Sequence, residues 1–231
     1  MSAMTRDRRV QQQRQRVLRT HNRFWRPEEL DGPPSTMQHL LSALVDEDEL
    51  RRVRRGLYWR GTKSPLGMAM PPTDMLIHEL APGPGVGPGG LYAANLLRLS
   101  TQVPRRAEAA VPARAPESMD SIRFVARPAR SARVAARLSP MEVAFLEVLG
   151  AWEKAIELPP DEAWERLREL VSSGQVRADR IARAGQTEPG SVRARLREVL
   201  HASGRTDLVA RVPEPDVRTA TAATRVLQGV A

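Results

Sequence analysis

The sequence contains no cysteine. That excludes disulfides, thiolate zinc sites and cysteine nucleophiles, and leaves the redox compartment open. Lysine is nearly absent too: of 36 basic residues, all but Lys63 and Lys154 are arginine. A GC-rich genome produces such a bias, but arginine also suits phosphate and guanine contacts, because its planar fork donates two parallel hydrogen bonds. No apolar run approaches the ~20 residues that a membrane-spanning helix needs. The opening stretch MSAMTRDRRVQQQRQR lacks the apolar core of a signal peptide. These absences predict a cytoplasmic protein with no membrane partner.

Catalytic and metal-binding patterns are missing as well. His21, His39, His78 and His201 stand far apart, with no pair at i and i+4, so the sequence predicts no metal site. The stretch APGPGVGPGG at 81–90 invites a phosphate-loop reading, but it lacks the Gly-Lys-Ser/Thr ending and its prolines remove N–H donors. It reads instead as a mobile connector. There is no Gly-x-Ser-x-Gly elbow and no cluster of carboxylate, His or Cys at catalytic spacing. The expectation is a protein that is not an enzyme, with no cofactor and no catalytic residue.

What the chain does carry is positive charge. Lys and Arg number 36 against 27 Asp and Glu, a net charge of +9. Residues 1–63 hold 14 Lys/Arg and 8 Asp/Glu, so most of the surplus sits in about a quarter of the chain. A field of that sign favours polyanionic partners.

The patterning divides the 231 residues into two domains and a linker. Residues 5–21 form a polar helix with sparse apolar positions at Val10, Val17 and Leu18. Pro27 opens a short helix, and DGPPS breaks it. From the N-cap candidate Ser35, Met37, Leu40, Leu41, Leu44 and Val45 recur at helical spacing. LRRVRRGLYWRG then reads as a hairpin turning at Arg55-Gly56, with Leu50 and Val53 inward and Leu57, Tyr58 and Trp59 on the return strand. That order, over residues 1–62, is the order of a winged helix-turn-helix. Residues 63–72 have linker composition. Residues 73–231 read as a mostly helical domain with a small β-hairpin at about 103–129, helices over 139–157, 160–173, 177–185 and 189–203, and a loosely held tail after Pro213. The predicted fold class is mainly α (α+β).

The N-terminal block has the chemistry of a duplex reader. Ser35, Thr36, Gln38, His39 and Ser42 form a stripe of short polar side chains toward the start of the recognition helix. Such side chains reach base edges in the major groove, and Gln38 can pair an adenine edge in bidentate fashion. Arg51, Arg52, Arg54 and Arg55 crowd the hairpin, where they would neutralise phosphates, with Arg14 and Arg16 as further contacts. A polar helix face and an arginine run are each ordinary surface features; their adjacency, in this order, singles them out. The carboxylates Asp46, Glu47, Asp48 and Glu49 beside the wing are expected to pair with the wing arginines or to keep DNA away.

Three stretches carry a resemblance to a known family. HLLSALVDEDELRRVRRGLYWRG (39–61), GGLYAANLLRLSTQVP (89–104) and EPGSVRARLREVLHASG (188–204) look like segments of the AbiEi-type antitoxins, including their mycobacterial MenA-type relatives. The resemblance implies an antitoxin of a two-gene toxin–antitoxin, or abortive-infection, system. It implies a winged helix that represses the operon by binding inverted repeats in promoter DNA, and a C-terminal domain that counteracts a nucleotidyltransferase-type toxin, by direct binding or otherwise. The 81–90 loop is richer in Pro and Gly than that family leads one to expect.

A basic set near the C-terminus, Arg177, Arg180 and Arg183 with Arg193, Arg195 and Arg197, is the candidate antitoxic face. The last three are expected to be exposed beside the buried Val192, Leu196, Val199 and Leu200. The competing reading of the whole chain is a stand-alone winged-helix transcriptional regulator whose C-terminal domain senses a ligand or dimerises.

Overall fold

The computed structural model describes residues 3–65 and 67–225 of the chain, and over them the fold is mainly α with small sheets, as expected. It divides into two compact units, Met1–Glu79 and Leu80–Ala231.

The first unit runs α1 (Ala3–Leu18), β1 (Arg23–Trp25), a 3-10 turn (Pro27–Glu29), α2 (Pro34–Asp46), β2 (Arg51–Arg54), β3 (Leu57–Arg60), the short strands β4 (Lys63–Ser64) and β5 (Gly67–Met68), and α3 (Thr73–Leu80). Strands β1, β3 and β2 make an antiparallel sheet in that spatial order. The arrangement is that of a winged helix whose second helix is reduced to the 3-10 turn. Pro27 starts that turn, and Gly32 with two prolines ends it before α2. Ser35 is not the N-cap of α2: the helix begins one residue earlier on Pro34, whose missing N–H costs nothing in a first turn.

Met37, Leu40, Leu41 and Leu44, at the spacing of one helix face, are all buried with Val17, Trp25, Leu30, Leu50 and Tyr58. Each such side chain contributes about 1.5–3 kcal/mol by leaving water. Because strand side chains alternate, Phe24 and Trp59 point away from this core, to the other side of the sheet from Trp25 and Tyr58. Their rings meet at 4.7 Å and both are buried.

That second apolar face explains a difference from the sequence reading. Residues 63–72 are not a bare linker. Met68 is buried, its sulfur accepts the Gly61 N–H at 3.2 Å and its carbonyl accepts Arg51 at 3.0 Å, so the β4–β5 hairpin is tied to the sheet. The first compact unit therefore extends past residue 62, through Glu79.

The second unit runs β6 (Gly87–Gly89), α4 (Gly90–Leu96), β7 (Ala107–Val111), β8 (Ile122–Ala126), α5 (Ala132–Ala135), α6 (Pro140–Gly150), α7 (Trp152–Ala155), α8 (Pro160–Ser172), α9 (Ala178–Ala184), a 3-10 turn (Gly185–Thr187), α10 (Gly190–Ala202), α11 (Thr206–Val209) and α12 (Val217–Thr224). Helix α6 is buried all round, from Glu142 to Leu149, and is the axis of the core. It starts as its sequence predicts, with a capping box in which Ser139 Oγ accepts the Glu142 N–H and Glu142 accepts the Ser139 N–H at 2.7 Å.

Three expectations fail here. The Pro/Gly stretch is no free connector: Gly87–Gly89 is an edge strand paired with β7. It is glycine because a Cβ on Gly87 would lie 2.8 Å from both the Pro140 carbonyl oxygen and Val143 Cβ. The expected hairpin at 103–129 is instead a parallel pair, β7 with β8, in register from Ala107 with Ile122 to Val111 with Ala126. A hairpin reverses the chain in a tight turn, whereas the connection over 112–121, after a bend at 112–114, runs back to the start of β7 before β8 begins. There it is held by Arg106 donating to the Met119 carbonyl at 2.9 Å. The tail after Pro213 is anchored as far as residue 225, where the described residues end: Ala223 of α12 is buried and its carbonyl accepts Arg195 at 2.9 Å.

A buried ion network closes the unit. Arg133, with no exposure, donates twice to Glu188 at 2.6 and 2.9 Å and once to Glu147 at 2.7 Å. Arg130 and Arg127 reach Glu147 from its more open side. Burial alone would push Glu147 up, but the guanidinium groups of Arg133, Arg130 and Arg127 hold it below the usual carboxylate range.

Candidate nucleic-acid interface

Helix α2 and the β2–β3 ribbon meet through one side chain. Tyr58 lies on the inner face of β3, and its hydroxyl contacts Gln38 and Ser42 on α2. The short polar stripe and the arginine ribbon are therefore neighbours, as the sequence reading requires. The ribbon turns at Arg55-Gly56, with Gly56 at φ +74°, where a side chain would be strained. A register shift between Arg52 and Arg54 twists its outer strand.

The expected reading residues do not behave alike. Ser35 and His39 are exposed on α2, with no partner among the described residues. Thr36 is half-buried and already makes an interaction within the protein. Gln38 and Ser42 are half-buried against Tyr58. The stripe is thus split into an outward pair and an inward pair sharing one hydroxyl. Sequence reading placed Tyr58 only on the return strand; the signal available was that a buried tyrosine hydroxyl demands a partner.

The arginines divide in the same way. Arg52, Arg54 and Arg55 are exposed, and their side chains make no hydrogen bond or ion pair among the described residues. Arg51 is also on the surface, but its guanidinium is committed to the Met68 carbonyl. The two further phosphate contacts expected on α1 are engaged internally. Arg14 is bidentate with Glu47 at 3.0 and 2.6 Å, a hydrogen-bonded pair that raises the arginine pKa and lowers the glutamate's. Arg16 donates to the Glu29 carbonyl at 3.1 Å and lies over the Trp25 ring at 5.4 Å. The carboxylates after α2 do not pair with Arg51, Arg52, Arg54 or Arg55 among the described residues. Glu49 binds Arg60 and Lys63, at 3.0 and 2.9 Å, and the Lys63 hydrogen bond holds it below its ordinary value. With Glu47 and Glu49 neutralised elsewhere, the three free guanidinium groups of the ribbon keep their charge for a partner.

In the second unit the candidate antitoxic face is largely occupied by the protein itself. Arg177 pairs with Glu142 at 2.7 Å, Arg180 donates to the Arg137 carbonyl at 2.8 Å, and Arg183 pairs with Asp179 at 2.8 Å. The expectation of exposed arginines on α10 is corrected. Arg195 is buried and donates to the carbonyls of Leu149 and Ala223 at 2.7 and 2.9 Å. Arg197 is half-buried and donates to those of Val209 and Val212 at 3.0 and 2.7 Å. Arg193 is half-buried, with its Nε enclosed and unpaired among the described residues. Most of these acceptors are the orphan carbonyls that helices leave at their C-terminal ends.

Among the described residues no group of three or more His, Asp or Glu side chains is placed to hold a metal ion, and no helix is long and apolar enough to cross a membrane.

No family model matches the chain, and no curated protein does. Among solved structures, the crystal structure of the RV2827C protein from Mycobacterium tuberculosis is similar over 92% of this chain and 83% of that one, at 14% identity and a TM-score of 0.48. At that score the likeness adds nothing to what the geometry carries.

Proposed function

We propose that the chain is a transcriptional repressor that binds double-stranded promoter DNA through its first unit, and that it serves as the autoregulating antitoxin of a toxin–antitoxin system. The observation that supports duplex binding is the free guanidinium cluster of Arg52, Arg54 and Arg55 on a ribbon braced against α2, whose Ser35 and His39 are open to solvent. A helix start in the major groove with a cationic ribbon on the flanking backbone is the docking such an arrangement serves. The antitoxin part rests on the three sequence stretches described above, and its functional partner is a nucleotidyltransferase-type toxin encoded beside it.

A second reading, the stand-alone regulator, gains from the internal engagement of Arg177, Arg180, Arg183, Arg195 and Arg197. These side chains are held by the fold and are not offered as a basic face. One combined experiment separates the two. The full chain is tested for retarding DNA from immediately upstream of its own gene, and for restoring growth when the neighbouring reading frame is expressed. Retardation with rescue is the expected result. Retardation without rescue leaves the regulator, and no retardation at low salt removes both.

A further inference from the structure

This inference rests on the duplex-reading proposal and deepens it by naming a further residue of the reading face. The buried side of α2 is Met37, Leu40, Leu41 and Leu44. The exposed residues of the helix are Pro34, Ser35, His39, Ala43 and Asp46. From Ser35 to Ala43 they recur every four positions, about 6 Å apart along the axis. Gln38 and Ser42 lie on one flank of this side, half-buried against Tyr58 of the ribbon. Ala43 is about 100° around the helix from Ser42, away from that flank, and stays open.

The exposed residues differ in what they offer a duplex. Ser35 and His39 donate or accept hydrogen bonds. Asp46 carries a negative charge, which phosphate repels, so the part of α2 that can lie deep in a groove is the part before it. Ala43 is in the last turn of that part. An exposed alanine is by itself an ordinary surface feature. On the proposed docking, however, its place is one where a side chain faces a base edge. A bulky residue there would hold the helix off the bases, and a polar one would need a partner among them. A methyl group needs neither. The major groove holds one apolar group that matches it, the C5-methyl of thymine.

We propose that Ala43 is a specificity-determining residue whose methyl group packs against the C5-methyl of a thymine, at a base pair beside the one that His39 faces. Thr36, the other methyl-bearing side chain of the predicted reading stripe, is half-buried and already makes an interaction within the protein.

The test begins with selection of the full-length chain on a randomised duplex library, which gives its site. Each thymine of that site is then replaced in turn by deoxyuridine, which lacks only the methyl group. Affinity is measured for wild type, Ala43→Gly and Thr36→Ser. Wild type should lose about fourfold at one thymine, the worth of one methyl group withdrawn from water. Ala43→Gly should bind thymine and deoxyuridine there within about 1.5-fold of each other, and Thr36→Ser should keep the wild-type difference. Glutamine is a good helix former, so Ala43→Gln decides the matter if Ala43→Gly does not fold. In a repeated selection Ala43→Gln should lose the preference for thymine at that position and keep the preferences elsewhere. Four results overturn the inference and leave the duplex-reading proposal standing. They are a site in which no deoxyuridine weakens wild-type binding, an undiminished methyl effect in Ala43→Gly, its loss in Thr36→Ser, and a thymine preference retained by Ala43→Gln. A chain that binds no duplex removes that proposal itself, and this one with it.

Discussion

Arg195 donates to the carbonyl oxygen of Leu149 at 2.7 Å from a position only 5% exposed. Leu149 lies in the last turn of α6, whose carbonyls have no partner within the helix. The same guanidinium reaches the Ala223 carbonyl near the end of α12 and lies 5.7 Å from the centre of the Trp152 ring. One arginine thus holds the ends of two helices to α10. The pattern recurs: Arg166 donates to the Leu97 carbonyl after α4, Arg168 to that of Ala202 at the end of α10, and Arg197 to that of Val209 at the end of α11. Several donors on a long arm can satisfy several carbonyls at once, which an ammonium group cannot do in the same geometry.

Replacing Arg195 by methionine keeps much of the aliphatic volume and removes the donors. The Leu149 and Ala223 carbonyls then lose charge-assisted hydrogen bonds inside the protein, at an expected cost of about 3 kcal/mol. Urea unfolding should show a midpoint lowered accordingly with little change in slope. Lysine at the same position should recover less than half of the loss, because it cannot serve both carbonyls with one planar group. Full recovery by lysine would show that the charge, and not the fork, matters.

The basic composition points to polyanionic partners, and the structure shows what each guanidinium group reaches within the protein. In the first unit it leads to a ribbon whose arginines at 52, 54 and 55 are free. In the second unit most of the arginines named from sequence serve the protein's own backbone and carboxylates. Net charge cannot separate the two uses, because it records neither the length of a side chain nor what lies at the end of its reach. Helical periodicity behaved better: the apolar set of α2 was visible because it depends only on residues within one helix. The parallel pairing of β7 with β8 was not, since strand direction is decided by how a distant segment returns. Nor was the split of the reading stripe by Tyr58, which depends on a contact across 20 positions of sequence.

The Glu147 network gives the second unit a defined response to acid. Burial opposes ionisation of this carboxyl, and three arginines outweigh that cost, so its folded-state pKa lies below the unfolded glutamate value of about 4.3. A group lowered on folding stabilises the native state above the unfolded value, and that contribution is lost as pH falls through the folded one. The wild-type urea midpoint should therefore fall below about pH 4.3. Glu147→Gln, which leaves three arginines short of a counter-charge, should be less stable than wild type at pH 7. The gap between the two should narrow steadily as pH is lowered toward 3. A gap that stays constant from pH 7 to 3 would mean that Glu147 supports the fold by shape and not by charge.

The two sets of N-terminal arginines should separate cleanly when binding to duplex DNA is followed against salt. Arg54 is free on the ribbon, so on the proposed docking it releases counterions from the backbone it neutralises. Arg54→Ala should weaken binding to all sequences alike and reduce the slope of log affinity against log salt by about 0.9. Arg55→Ala should do the same, and the double variant should lose close to twice as much slope. Arg14 is already bidentate with Glu47, at 27% side-chain exposure. Arg14→Ala should leave the slope unchanged and should even weaken affinity slightly, since it frees the Glu47 carboxylate near the end of α2 to repel phosphate. An Arg14 variant that loses a full unit of slope would mean that the Glu47 pair opens on DNA and that the surface presented to the duplex includes α1. Intact slopes in both ribbon variants would remove the ribbon from the interface altogether.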